Sequence, residues 1–215
     1  ASPMLSNEAL HLLATLVRRS GGKGTFRVDR GPEAPLEGVE ELSLRAERAA
    51  NVRGAELMGF ANSDSPLDGL GAGDVLVVAG EELASLDPGV AAAAAQKAGA
   101  IVVVGTALPA WAQRAAAVLP ITNMAEEEGT FTNVHGRVQR FLQAKAGPGL
   151  ARPSWFVLAD LLGALGESTN YFLPADAFAA LASANPEFGG MSYDTLGLKG
   201  SPVASAQTVE AGAGA

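Results

Sequence analysis

Glu126, Glu127 and Glu128 run into Gly129-Thr130-Phe131-Thr132, and Asn133, His135, Arg137 and Gln139 follow at short spacing. Side chains of these types allow two kinds of chemistry. Neighbouring carboxylates can trade a proton or hold a cation. A row of hydroxyl, amide and guanidinium groups can donate hydrogen bonds to a polar ligand. A purely structural reading competes with both. Three adjacent glutamates with no histidine close in sequence are expected to form a solvated acidic turn. Thr130, Phe131 and Thr132 are strand formers, Asn133-Val134-His135-Gly136 has β-turn composition, and Arg137 to Phe141 returns as a second strand. Turn chemistry thus accounts for every residue of a hairpin, with His135 exposed at its tip.

Two glycine-rich stretches invite comparison with phosphate loops. Gly69 to Asp74 (GLGAGD) precedes a strand, whereas a dinucleotide loop must follow one and open a helix. Ser20 to Thr25 (SGGKGT) has Val17 where a P-loop needs its first glycine, and Gly24 where it needs Ser or Thr after the lysine. Both read as turns.

Composition removes other chemistries. The chain has no cysteine, which rules out within it a disulfide, a Cys-ligated iron–sulfur cluster, a Cys-containing zinc site and a Cys nucleophile. Two histidines, His11 and His135, cannot supply a three-histidine metal site, and His11 reads as a surface or core residue of a helix. A net charge of −8 argues against a nucleic-acid or anionic-membrane surface. No stretch reaches the roughly 20 apolar residues of a membrane span; GVAAAAAQKAGAIVVVG is broken by Gln96 and Lys97. The opening ASPMLSNEAL has neither a basic leader nor an initiator Met, as expected of a processed chain or a piece of a longer polypeptide.

The elements that must position these groups follow from spacing. Ser6 reads as the N-cap of a helix from about Asn7 to Arg19, ended by Gly21-Gly22. Thr25 to Val28 is a short strand, Arg30 to Glu37 a loop with two prolines, and Asn51 the cap of a short helix reaching Phe60. Val75 to Ala79, Ile101 to Val104 and Val118 to Pro120 are apolar runs, the first expected to be buried on both faces. Helices from Pro88 to about Lys97 and from Trp111 to Ala116 separate them, so the pattern predicts a parallel sheet with right-handed crossovers. Pro153 opens another helix, Asp176 to Ala184 is a further one, and Ser201 to Ala215 has the composition of a disordered tail. The predicted fold class is α/β: a parallel-sheet layer with flanking helices, then a β-hairpin and a helical C-terminal extension. The expected divisions are 1–145, 146–200 and 201–215.

VLPITNMAEEEGTFTNVHGRVQRF closely resembles a segment of molybdopterin oxidoreductase-type proteins: a strand ending in Leu-Pro, then an acidic residue, Gly-Thr, Asn, Gly-Arg and Gln. AKAGPGLARPSWFVLADLLGALG continues that resemblance with its Ala-Arg-Pro-x-Trp and helix. SPMLSNEALHLLATLVR, NVRGAELMGF and NPEFGGMSYDTLGLKG resemble the large iron–sulfur subunit of respiratory NADH–quinone oxidoreductase. His135 stands where the family often has an acidic residue before Gly-Arg. The family's iron–sulfur clusters are carried by Cys-rich N-terminal domains absent from this sequence. Catalytic members often ligate molybdenum through Cys, selenocysteine, Ser or Asp from a segment not visible here.

The resemblance implies an architectural, cofactor-free portion of that subunit, helping to support the arm that passes electrons from NADH to quinone. It further implies contacts with the complex's other subunits and a cytoplasmic location peripheral to the bacterial inner membrane, without insertion into it. No catalytic residue is then expected in the chain, and the hairpin is an inherited active-site scaffold. The competing reading is a fragment of a true molybdenum oxidoreductase contributing to pterin cofactor binding, with Thr130, Asn133, Arg137 and Gln139 as donors. A third reading is a stand-alone interaction domain.

Overall fold

A computed structural model describes residues 1–80 and 86–205, with residues 40–42 described for their backbone alone. Helix α1 (Asn7–Ser20) begins where the Ser6 hydroxyl accepts the Ala9 N–H, and ends at Gly21 in a left-handed conformation. Leu10, Leu12 and Leu13 of α1 enter the main core. So do Leu158 and Leu162 of α4 (Ser154–Ala164), and Phe178 and Leu181 of α5 (Pro174–Ala184). Burial of each such leucine or phenylalanine contributes about 1.5–3 kcal/mol, so α1, α4 and α5 form one packing unit. The 146–200 stretch therefore shares its core with the first helix.

Strands β5 (Val75–Ala79), β6 (Ala100–Gly105) and β7 (Ala117–Pro120) form the predicted parallel sheet, in that spatial order. Helix α3 (Pro88–Ala95), opened by the Asp87 carboxylate accepting from Gly89 and Val90, makes the first crossover. A 3₁₀ turn at Ala110–Ala112 replaces the expected helix over 111–116. Ala95, Ile101, Val103 and Ala112 form a small second core on that face. Ala79 and Val104 belong to the main core. β5 is an edge strand and is buried only in its carboxyl half, where the segment at Ser2 bonds to Ala79 O; Val75 at its start is exposed.

Strands β8 (Gly129–Thr132) and β9 (Arg137–Phe141) pair antiparallel, with Thr132 opposite Val138 and Gly129 opposite Phe141. At the tip, the Gly136 N–H donates to Asn133 O (2.9 Å) with Gly136 at φ 73°, a conformation that a β-branched residue resists. Gly136→Val is expected to lower stability by about 1–3 kcal/mol. An unchanged melting temperature would refute the turn.

Three segments depart from the sequence reading. The expected loop over Arg30–Glu37 instead starts a hairpin, β2 (Ala34–Leu36) with β3 (Val39–Leu44), turned at Gly38 with φ 79°. Pro35 is tolerated because the strand lies at an edge. Helix α2 (Val52–Leu57) lacks a side-chain cap, since Asn51 is used elsewhere. The remaining short strands, β1 (Thr25–Phe26) and β4 (Ala61–Asn62), pair with each other in parallel. After α6 (Tyr193–Leu196), residues 201–205 are ordered rather than a loose tail. β10 (Ser201–Pro202) pairs with β9 and Val203 is fully buried. Residues 206–215 of the expected tail lie outside the described residues.

Candidate functional site

Open parallel sheets bind ligands beyond the carboxyl ends of their strands, so that edge comes first. Here the segment before α1 lies across it. The Ser2 N–H donates to Ala79 O (2.8 Å), and the Gly80 N–H donates to Val104 O (2.7 Å). Gly80 sits at φ 95°, and a Cβ there would lie 2.4 Å from the Ser2 Cβ. A space of about 30 Å³ remains between Ser2, Leu5, Gly80, Thr106, Thr122 and Glu127. That is water-sized.

Behind this edge, two carboxylates are buried. Glu8, in the first turn of α1, is fully inaccessible. It accepts the Thr130 N–H (3.0 Å), the Thr130 hydroxyl (3.0 Å) and the Tyr193 hydroxyl (2.8 Å). Glu127 accepts the Ser154 N–H (2.6 Å), the Ser154 hydroxyl (2.9 Å) and the Thr122 hydroxyl (3.3 Å). It thereby caps α4, whose preceding Pro153 offers no side-chain acceptor. Burial pushes both carboxyls up to about 7, against the bonds they accept, and the charge of Glu8 raises Glu127 further. The expected solvated acidic turn is thus corrected at Glu127, a buried strut, and at Glu126, which is only 6% exposed. Glu126 accepts from Lys145 Nζ (2.9 Å) and the Asn123 N–H (3.2 Å), which hold its carboxyl below the usual range. Glu128 pairs with Arg140 at 2.6 Å.

Around Glu8 the polar network extends to both asparagines of the helical layer. Asn7 Nδ2 donates to the Thr130 (3.0 Å) and Thr132 (3.1 Å) hydroxyls. Asn51 Nδ2 donates to Leu5 O (2.9 Å) while its Oδ1 accepts the Thr132 N–H (2.7 Å). Sequence reasoning missed Asn7, Glu8, Asn51 and Tyr193, because polar residues in a helix's first turn ordinarily face water. The available signal was the alternation Thr130-x-Thr132, which puts both hydroxyls on one face of β8 and Phe131 on the other.

Of the four sequence-derived donors, three meet and one does not. The Asn133 Oδ1 accepts the His135 (3.0 Å) and Arg137 (2.9 Å) N–H groups, and its Nδ2 donates to Gln139 Oε1 (3.3 Å). Arg137 Nη1 donates to Gly200 O (3.1 Å). These three share the hairpin tip. Thr130 faces the opposite way, sealed under α1 with its hydroxyl committed to Glu8 and Asn7. His135 is exposed at the tip, whereas His11 is buried in α1, and burial pushes its pKa down to about 4. Among the described residues, no group of three or more His, Cys, Asp or Glu is placed to hold a metal.

The sheet and hairpin coincide with a known family. Residues 69–164 match the family described as Molybdopterin oxidoreductase. That stretch runs from the turn before β5 to the end of α4, a little under half of the chain. Among curated relatives, the protein named "Putative formate dehydrogenase YrhE" of Bacillus subtilis is 44% identical over 85 residues, covering 40% of this chain and 9% of its own length. "F420-dependent formate dehydrogenase 2 subunit alpha" of Methanococcus maripaludis is 41% identical over 92 residues, 41% of this chain and 14% of its own length. "Probable oxidoreductase YjgC" of Bacillus subtilis is 33% identical over 123 residues, 56% of this chain and 12% of its own length. The chain therefore matches only a small part of each.

A molybdopterin cofactor would need polar donors facing a cavity. Thr130 is sealed, Asn133 Nδ2 already donates to Gln139 Oε1, and residues 2–5 fill the carboxyl ends of β5 and β6, while the end of β7 opens on a largely apolar groove. The described residues do not by themselves form a pterin cradle. Nor is any described helix long and apolar enough to cross a membrane.

Proposed function

We propose that the chain is a portion of a molybdenum oxidoreductase of the formate dehydrogenase-like kind. It frames the cofactor region and offers the hairpin tip, through Asn133, Arg137 and Gln139, as its contribution to pterin binding. The observation that carries this reading is the match of residues 69–164, sheet and hairpin included, to the molybdopterin oxidoreductase family. Relatives whose names are formate dehydrogenases support it over the NADH–quinone alternative. Thr130 is left out of the proposed set, its buried hydroxyl being committed to Glu8 and Asn7.

The test is molybdenum and pterin content of the natural polypeptide that carries these residues, together with formate-dependent reduction of an acceptor dye. Stoichiometric molybdenum and oxidised-pterin fluorescence are expected. Arg137→Ala with Gln139→Ala should lower pterin occupancy several-fold while leaving the melting temperature within a few degrees. A natural polypeptide without molybdenum or pterin would overturn the reading.

One observation favours a second reading. The filled carboxyl ends of β5 and β6, together with the sealed Thr130, suit a cofactor-free scaffold, as in the large subunit of NADH–quinone oxidoreductase. There the iron–sulfur clusters would lie on other parts of the subunit, and the chain would sit at the cytoplasmic face of the membrane against neighbouring subunits. Co-purification with NADH:quinone activity, without molybdenum, would establish that reading.

A further inference from the structure

Helix α4 is apolar on nearly every face, yet only one face is covered. Trp155, Leu158 and Leu162 enter the core, while Val157 and Leu161 line an open groove of about 740 Å³ between α4 and the end of β7. Leu150 and Phe172 also line it at 82% and 83% exposure. Just beyond α4, Leu165 and Leu173 are 58% and 61% exposed. A helix hydrophobic all round belongs in an interior, and contiguous exposed apolar surface on this scale marks a contact face.

Two charges fix what the groove can accept. Asp160 is the one ionisable residue of α4. It lies exposed within the lining and makes no ion pair among the described residues. Arg152 lies in the same lining, anchored through its main chain: its N–H donates to Pro120 O (3.3 Å) and its carbonyl accepts the Thr122 N–H (2.9 Å). An apolar floor with an unpaired carboxylate and an exposed guanidinium suits an apolar segment that sets a cationic side chain against Asp160 and an acceptor oxygen against Arg152. Burying Asp160 against a purely apolar partner would strand its charge at a cost that a Lys or Arg removes.

We infer that the groove between α4 and β7 holds an apolar segment of the same polypeptide, lying outside residues 1–215, with a Lys or Arg set against Asp160. Two findings choose this occupant over a second copy or a separate protein. The relatives carry 86–91% of their length beyond the part matched here, as 100 − 14 and 100 − 9. The matched family stretch also ends in α4 itself, so the groove lies at the boundary of that match. The inference needs a longer polypeptide but no cofactor, so it stands or falls separately from the proposed molybdenum content.

The test is zero-length carboxyl–amine cross-linking of the natural polypeptide, read by peptide mass spectrometry, with a photo-reactive benzoyl-phenylalanine at Leu165 as a second, charge-independent probe. The expected results are an Asp160–Lys cross-link, and photo-adducts, to one peptide outside residues 1–215. If the central cation is Arg, the photo-adduct alone is expected, to a peptide with an Arg at its centre. Asp160→Asn should abolish the carboxyl cross-link, and in either case should raise hydrogen exchange of residues 154–164 at least several-fold. Adducts only to peptides within 1–215, or only to another polypeptide, would overturn the inference. So would the absence of adducts, or an intact natural polypeptide of 21.8 kDa.

Discussion

Replacing Gly54 by alanine is expected to destabilise the protein by about 4 kcal/mol, where the same change inside an ordinary helix gains about 1 kcal/mol. Gly54 lies within α2, and a Cβ there would stand 2.1 Å from Asn51 Oδ1 and 2.2 Å from Asn7 Oδ1. Neither oxygen can step aside freely. Asn51 Oδ1 holds the Thr132 N–H, and Asn7 Oδ1 accepts the Thr132 hydroxyl (3.3 Å). Their amide nitrogens hold Leu5 O and the Thr130 and Thr132 hydroxyls. Moving either asparagine leaves buried donors or acceptors of β8 unpaired, at about 1–3 kcal/mol each. For a chain of this length, the loss corresponds to a fall in melting temperature of roughly 8–16 °C. Thermal unfolding of Gly54→Ala checks this, and a melting temperature equal to or above the parent's would show that α2 does not approach the hairpin so closely.

That contact also shows where sequence reading runs out. The parallel sheet was legible because Val75–Ala79, Ala100–Gly105 and Ala117–Pro120 are apolar runs separated by crossover-length segments. The hairpin was legible because Asn133 and Gly136 do what their types predict. The polar network behind it was not, because its members are 46 to 185 residues apart in sequence. Asn7 and Glu8 read as a solvated first turn and Glu127 as part of an acidic surface; only the docking of β8 on α1 and of α4 on the 122–127 turn turns them inward. The β2–β3 hairpin was lost for a different reason. The side chains described for it, at 34–39 and 43–44, are exposed, and Pro35 and the run of glutamates hide the alternation.

The second large effect is on pH dependence, and it runs opposite to the usual acid lability of proteins. Glu8 and Glu127 titrate near 7 in the folded state, against 4.5 for a free glutamate. Between those values the folded chain binds more protons than the unfolded one, so the stability contributed by these two groups is fully present below about 4.5 and is lost as pH rises through 7. Each raised carboxyl is worth about 3 kcal/mol across that window at 1.36 kcal/mol per pKa unit. His11 acts the other way. Its folded pKa of about 4 lies below its ordinary 6.5, so its contribution is full above 6.5 and lost as pH falls toward 4. The buried Ala1 amine acts with His11: burial lowers it from 8.0 to about 5, so its contribution is full above 8 and lost as pH falls toward 5. The carboxyl contribution is therefore read as the parent minus the Glu8→Gln/Glu127→Gln double variant, and is expected to grow by roughly 2–3 kcal/mol from pH 8 to pH 6 and to keep growing to about pH 4.5. Urea midpoints measured at half-unit steps from pH 8 to 5 give the curve. Glu8→Gln and Glu127→Gln should each flatten it, since an amide cannot take up the proton. The double variant should leave the His11 and Ala1 slopes, stability rising with pH between about 4 and 8. A parent whose stability relative to the double variant falls between pH 8 and 6 would mean that Glu8 and Glu127 are stabilised as charged groups by the donors around them.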